Sequence, residues 1–108
     1  MSRRIMYLRS SNGHPVGCIA ISVDRNSSSV QYQLSVLNPQ DNFDRAVARQ
    51  LAIGRLVEDP ISVRIRKNAN MHDISLAVMD DIAYNGKGLL PSRAIKAAKL
   101  WMHNNIGD

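Results

Sequence analysis

VGCIAISVD (residues 16–24) and VQYQLSVL (residues 30–37) decide the fold. The first is dense in β-branched and small apolar residues. The second alternates, with Val30, Tyr32, Leu34 and Val36 on one side and Gln31, Gln33 and Ser35 on the other. A period of two marks a half-buried strand. RNSSS, between them, is turn-forming punctuation. The pair reads as an antiparallel hairpin with one face against a core and one face in water. Upstream, IMYLR (residues 5–9) supplies an earlier strand, joined through a turn at Asn12-Gly13.

Downstream the period changes. Asn38-Pro39 offers a capping residue followed by proline, and Asp41 and Asp44 sit where a helix dipole favours acid. Glu58-Asp59-Pro60 stops that helix. ISVRIR (residues 61–66) alternates again, Ile61, Val63 and Ile65 against Ser62, Arg64 and Arg66. Asn70 and Asp73 make a capping box for a helix whose apolar stripe is Met71, Ile74, Val78 and Ile82, and Asn85-Gly86 ends it. A last helix runs from residue 91 or 92 to 103, burying Ile95, Ala98, Trp101 and Met102. The order β-β-β-α-β-α-α defines an α+β fold, a mostly antiparallel sheet of about four strands with helices packed on one face. The other face carries Gln31, Gln33, Arg64 and Arg66. At 108 residues, positions 1–108 form a single globular domain with one core.

FDRAVARQLAIGRL (residues 43–56) carries the most charge of any predicted helix. On a wheel of about 100° per residue, Ala46, Val47, Leu51, Ile53 and Val57 fall in one arc around Phe43. Gln50 and Gly54 lie inside it, predicting a satisfied buried amide and a close helix–sheet approach. Arg45 and Arg49 fall opposite, either as a solvated back or as a fork for phosphate or carboxylate.

Apolar residues at 44% and charged residues at 21% exclude a disordered tail. Apolar runs are too short to span a membrane, and the basic start lacks the apolar core of a signal peptide. One cysteine, Cys18, makes no internal disulfide and fits a reducing, cytoplasmic setting. The net charge of +5 is concentrated at the chain ends, +3 in residues 1–40 and +3 in residues 87–108. Such an excess attracts phosphate-bearing or acidic partners and also aids solubility.

Nothing reads as an acid/base or nucleophile set. His14, His72 and His103 have no second ligand at metal spacing. Cys18 is mid-strand with nothing nearby in sequence to activate it. Asp80 and Asp81 diverge on a helix. No phosphate-binding glycine motif occurs. The expectation is a non-enzymatic chain with no cofactor and no metal. NGKG (residues 85–88) places Lys87 in a loop that either holds an anion or ends a helix. Arg93, Lys96 and Lys99 recur at three-residue steps on the last helix. With Arg45, Arg49, Arg64, Arg66 and Lys87 they are the candidate contacts to a phosphate-rich or acidic partner. The polar sheet face has no aromatic rings, which argues against an open-sheet RNA binder.

Two resemblances follow from these stretches. PVGCIAI, the strand ending SVLNP and the arginine-bearing helix after it resemble the core of GNAT-type acetyltransferases over residues 16–65. That family holds the coenzyme A pyrophosphate on an R-x-x-G-x-G/A loop. The matching place here reads RAVARQ, with Ala48 at the first glycine's position and Gln50 at the small residue's. The pattern NP-x-D-x-F-x-R-x-x-A-R-x-x-A-x-G-R in a short basic chain resembles accessory proteins of tailed bacteriophages, across residues 1–104. That resemblance implies counter-defence binding without turnover. The leading expectation is therefore a basic binding protein holding nucleic acid or a nucleotide signal. The alternatives are an acyltransferase or its inactive relative, an inhibitor of an acidic host protein, and a homo-oligomer built on exposed sheet edges.

Overall fold

Strand pairing follows chain order. The computed structural model describes residues 2–24, 27–36, 43–85 and 90–106. Its elements are β1 (Ser2–Arg9), β2 (Pro15–Val23), β3 (Ser29–Val36), α1 (Arg45–Glu58), β4 (Ile61–Arg64), α2 (Met71–Asp80) and α3 (Ser92–Ile106). The sheet is antiparallel throughout, in the order β1-β2-β3-β4. Ile19 lies opposite both Met6 and Leu34, and Cys18 opposite both Tyr7 and Ser35. The α+β class and the element order agree with the sequence reading. The Asn38-Pro39 helix start and the Gly86 stop fall outside the described residues.

Gly13 takes a positive φ of 85° in the β1–β2 turn, as read, and the Gly13 amide donates to the Ser10 carbonyl. The first helix starts later than its sequence signals suggested: Phe43 and Asp44 are not helical, and Asp44, expected inside the first turn, is the N-cap of α1, its carboxylate accepting from the Ala46 and Val47 amides. Asn70 and Asp73 form the reciprocal capping box of α2. Ala48, Ala94 and Ala98, fully buried, are among the small residues that bring helices onto the sheet.

The helices do not share one face. Successive strand residues point to opposite sides of a sheet. Ile19, Ile21, Tyr32 and Leu34 join Ile74, Val78, Met79, Ile82, Ala94 and Ala98 in the core beneath α2 and α3. Cys18 and Ala20, on the other side of β2, pack against Ala48, Ala52 and Leu56 of α1. The protein is a three-layer sandwich. The continuous apolar run of β2 reflects this, since a strand covered on both faces has no polar alternation. Of the expected wet face, Gln31 and Arg64 are exposed. Gln33 and Ser35 are buried under α1. Their polarity serves the contact: Ser35 Oγ donates to the Ala48 carbonyl at 2.7 Å and Gln33 Nε2 to the Asp59 carbonyl at 2.8 Å. The Arg55 guanidinium donates to the Leu34 carbonyl at 3.0 Å.

α1 is accordingly turned by about half a revolution from the wheel reading. Val47, Leu51 and Val57 are 46%, 44% and 72% exposed. Gln50 and Gly54 are exposed too, and a Cβ at Gly54 would meet nothing within 4 Å. The narrow face Ala48, Ala52, Leu56 lies on the sheet, where the central strands beneath present the small side chains Cys18, Ala20 and Ser35. Larger helix residues would hold the backbones apart and leave voids.

α2 passes into a single π-turn, Asp81–Asn85, which the sequence did not announce. It is held by a tertiary bond. Tyr32 Oη, fully buried, donates to Asp81 Oδ2 at 2.6 Å, and Asn85 Nδ2 donates to Asp81 Oδ1 at 3.1 Å. Burial first, then the bond to Asp81 and its charge, pushes the Tyr32 phenol well above its ordinary value. A raised folded value means stability that is intact below the unfolded tyrosine value of about 10 and declines as pH rises past it. Tyr32→Phe is expected to cost about 1–2 kcal/mol near neutral pH. It should also flatten the fall of the urea midpoint between about pH 9 and 11.

Candidate basic cleft between the first turn and the last helix

The sequence-predicted cations scatter over the molecule. The Arg45 guanidinium lies 5.2 Å from the Tyr7 ring centre. Arg49 lies near Cys18. Burial raises the Cys18 thiol above its ordinary value and the Arg49 charge offsets part of that. A buried, protonated thiol is a poor nucleophile, so Cys18 is expected to resist thiol reagents until the protein unfolds. Neither arginine stands opposite the core; both flank the buried face of α1. Arg64 is exposed on β4. Arg66 lies beyond β4 and is ion-paired to Asp73 at 2.6 Å. That guanidinium holds the Asp73 carboxyl below its ordinary value. Lys87 falls outside the described residues. Lys99 sits 5.5 Å from the centre of the Tyr84 ring.

Arg93 and Lys96 do come together, and with a residue the sequence reading passed over. Arg9, at the end of β1, lines the same hollow of about 330 Å³ with Arg93 and Lys96 of α3. Ser10, Ser11, Val16, Ala97 and Leu100 complete its wall. The two basic ends of the chain therefore meet across this hollow. A second hollow of about 390 Å³ shares Arg9, Ser10, Ser11, Ala97 and Leu100 and continues along α3 to Trp101, Asn104 and Asn105, with Tyr7 at its edge. Together they form one cleft, basic at one end and lined by aromatic and amide groups at the other.

Local geometry builds this cleft. At about 100° per residue, Arg93, Lys96, Ala97, Leu100, Trp101 and Asn104 project from one side of α3, while Lys99 diverges from them. The β1–β2 turn is fixed over that side by its own bonds. Arg9 Nη1 donates to the Gly13 carbonyl at 2.9 Å, the Ser10 amide donates to the His14 carbonyl at 2.9 Å, and Ser10 Oγ bonds Asn12 Oδ1. The first turn of α3 contains no acidic residue. Arg93 therefore adds to the positive end of the helix dipole instead of offsetting it. An anion placed there gains from the dipole and from the side chains together.

A different hollow of about 440 Å³, at the N-terminus of α2, is lined by Arg4, Arg66, Asn68 and Asn70, but also by Asp24. With Arg66 bonded to Asp73, its field is largely balanced. In the stretch that resembles the acetyltransferase loop, three amides are engaged in the helix cap. The Ala46 and Val47 amides go to the Asp44 side chain and the Ala48 amide to the Asp44 carbonyl. Among the described residues no group of three His, Cys, Asp or Glu side chains is placed to hold a metal ion. No described helix is long and apolar enough to cross a membrane. Fold and site together define a three-layer α+β domain with a basic cleft. No family model, curated protein or solved structure matches the chain.

Proposed function

We propose that this protein is a non-catalytic binder of a phosphate-bearing nucleotide or single-stranded nucleic acid, seated between the β1–β2 turn and α3. The observation that carries this reading is the convergence of Arg9 with Arg93 and Lys96 on one hollow that continues to Trp101 and Asn104. Cations hold phosphate oxygens. An indole offers a stacking surface to any base, and a side-chain amide matches base edges. Binding without turnover suits the counter-defence role implied by the resemblance to tailed-phage accessory proteins.

Fluorescence anisotropy tests this with a labelled single-stranded oligonucleotide, and with a labelled mononucleotide as the second arm. Three cation contacts predict a log–log salt slope of about −2 on a single strand. Arg9→Ala and Lys96→Ala are each expected to weaken binding by about tenfold, as loss of a charge-assisted contact does. Arg64→Ala, on the far sheet face, is expected to leave affinity unchanged. Absence of binding by either probe at low salt would remove the reading.

A further inference from the structure

We propose that the ligand of the basic cleft is a free nucleoside polyphosphate, held with its phosphates at the start of α3 and its base against Trp101. This inference rests on the cleft reading above and narrows it to one class of nucleotide.

The distribution of charge along the cleft selects that class. Arg9, Arg93 and Lys96 all line the hollow at the start of α3. The second hollow, farther along α3, has Arg9 as the one charged side chain among its lining residues. Arg45 lies over the Tyr7 ring and is not part of that wall. The far hollow also adjoins the last turn of α3, whose carbonyl end disfavours an anion. Positive charge is therefore gathered at one end of the cleft. A strand of nucleic acid repeats its phosphates along its whole length, one per nucleotide. Laid along this cleft, it would set a phosphate beside Trp101 and the carbonyl end of the helix. A nucleoside polyphosphate has the matching asymmetry, with adjacent phosphates at one end and an uncharged base at the other. Its phosphates meet side chains of two elements and the positive end of the helix dipole together.

Arg93 and Trp101 stand eight residues apart, about 12 Å along the helix axis. A triphosphate chain and one ribose bridge a span of that order, which brings one base to the indole. Trp101 is half-buried. It packs against the main core while part of it lines the cleft. The core contact holds its orientation, so stacking a base orders no loose side chain. Asn105 Nδ2 donates to the Trp101 carbonyl at 2.8 Å. That leaves Asn104, exposed on the same wall, as the amide that meets the base edge.

Trp101 is the only tryptophan in the chain, so its emission reports directly on the far end of the cleft. The test is titration of the full chain with AMP, ATP, inorganic triphosphate and a short oligothymidylate with hydroxyl ends, with displacement of a labelled ATP giving the affinities. ATP is expected to bind about tenfold more tightly than AMP, as added charge-assisted contacts do. It should also bind about tenfold more tightly than inorganic triphosphate, as one stacked base does. ATP should quench the Trp101 emission, whereas triphosphate should displace labelled ATP without quenching. Trp101→Leu should lower ATP affinity to that of triphosphate and leave triphosphate binding unchanged, which a merely unfolded variant would not do. Trp101→Phe should restore most of the loss. If the oligothymidylate binds as tightly as ATP, a strand is the ligand; this inference falls and the cleft reading stands. ATP binding no tighter than AMP, or no tighter than triphosphate, overturns it as well. If no probe binds at low salt, the cleft reading falls and takes this inference with it.

Discussion

Gly17→Ala is expected to cost about 2–3 kcal/mol, the usual price of forcing atoms into a filled core. For a domain of this size that is a fall in thermal midpoint of roughly 10–20 °C. Gly17 sits in β2, paired with Leu8 of β1 and Val36 of β3. A Cβ there would lie 2.6 Å from the Ser35 carbonyl oxygen, 3.3 Å from Val36 Cγ2 and 3.4 Å from Leu8 Cδ1. The first of these is backbone and has no rotamer to give. Relief requires β2 and β3 to part where Ser35 Oγ also holds the Ala48 carbonyl, so α1 would loosen with the strands. Equilibrium urea unfolding followed by far-ultraviolet circular dichroism measures the loss. A midpoint within error of the wild type would mean that the two strands are spaced more widely there. Gly13→Ala is the companion measurement. It meets no atom within 4 Å but carries a φ of 85°, so its cost should be only the smaller one of a left-handed alanine.

Features set by neighbours in the chain were legible. The alternation of Val30 to Val36 and the pairing of Asn70 with Asp73 depend on a few adjacent residues, and the strand and the capping box formed accordingly. Features set by what lies across space were not. Tyr32 shapes the π-turn at Asp81 from 49 residues away, and no local signal marks that. Arg9 was read as one of several N-terminal charges. It meets Arg93 only because the β1–β2 turn folds over α3. One signal for the two-sided sheet did lie in the open. Residues 18–21 of β2 run Cys-Ile-Ala-Ile without a polar position, and all four are fully buried. A strand with one wet face has no reason to be apolar at every step.

The inverted helix gives the sharpest contrast between residue size and residue burial. Ala48→Leu is expected to destabilise the fold by about 2–3 kcal/mol, although it makes the helix more hydrophobic. Leu51→Glu should change the stability by no more than about 0.5 kcal/mol, although it removes the helix's only central leucine. Ala48 is fully buried against a sheet face whose packed residues include Cys18 and Ala20, and its carbonyl accepts from Ser35 Oγ. A leucine there must push α1 outward, which strains that bond and those from Gln33 to Asp59 and from Arg55 to Leu34. The buried Ser35 and Gln33 side chains then lose their partners while still shielded from water. Leu51, 44% exposed, has no such ties. Reading α1 by its largest apolar residues predicts the reverse ranking, a damaging Leu51→Glu and a harmless Ala48→Leu. Thermal melts of the two variants decide which side of α1 faces the sheet. If Leu51→Glu proves the more damaging, the packing of α1 on Ala48, Ala52 and Leu56 falls with it.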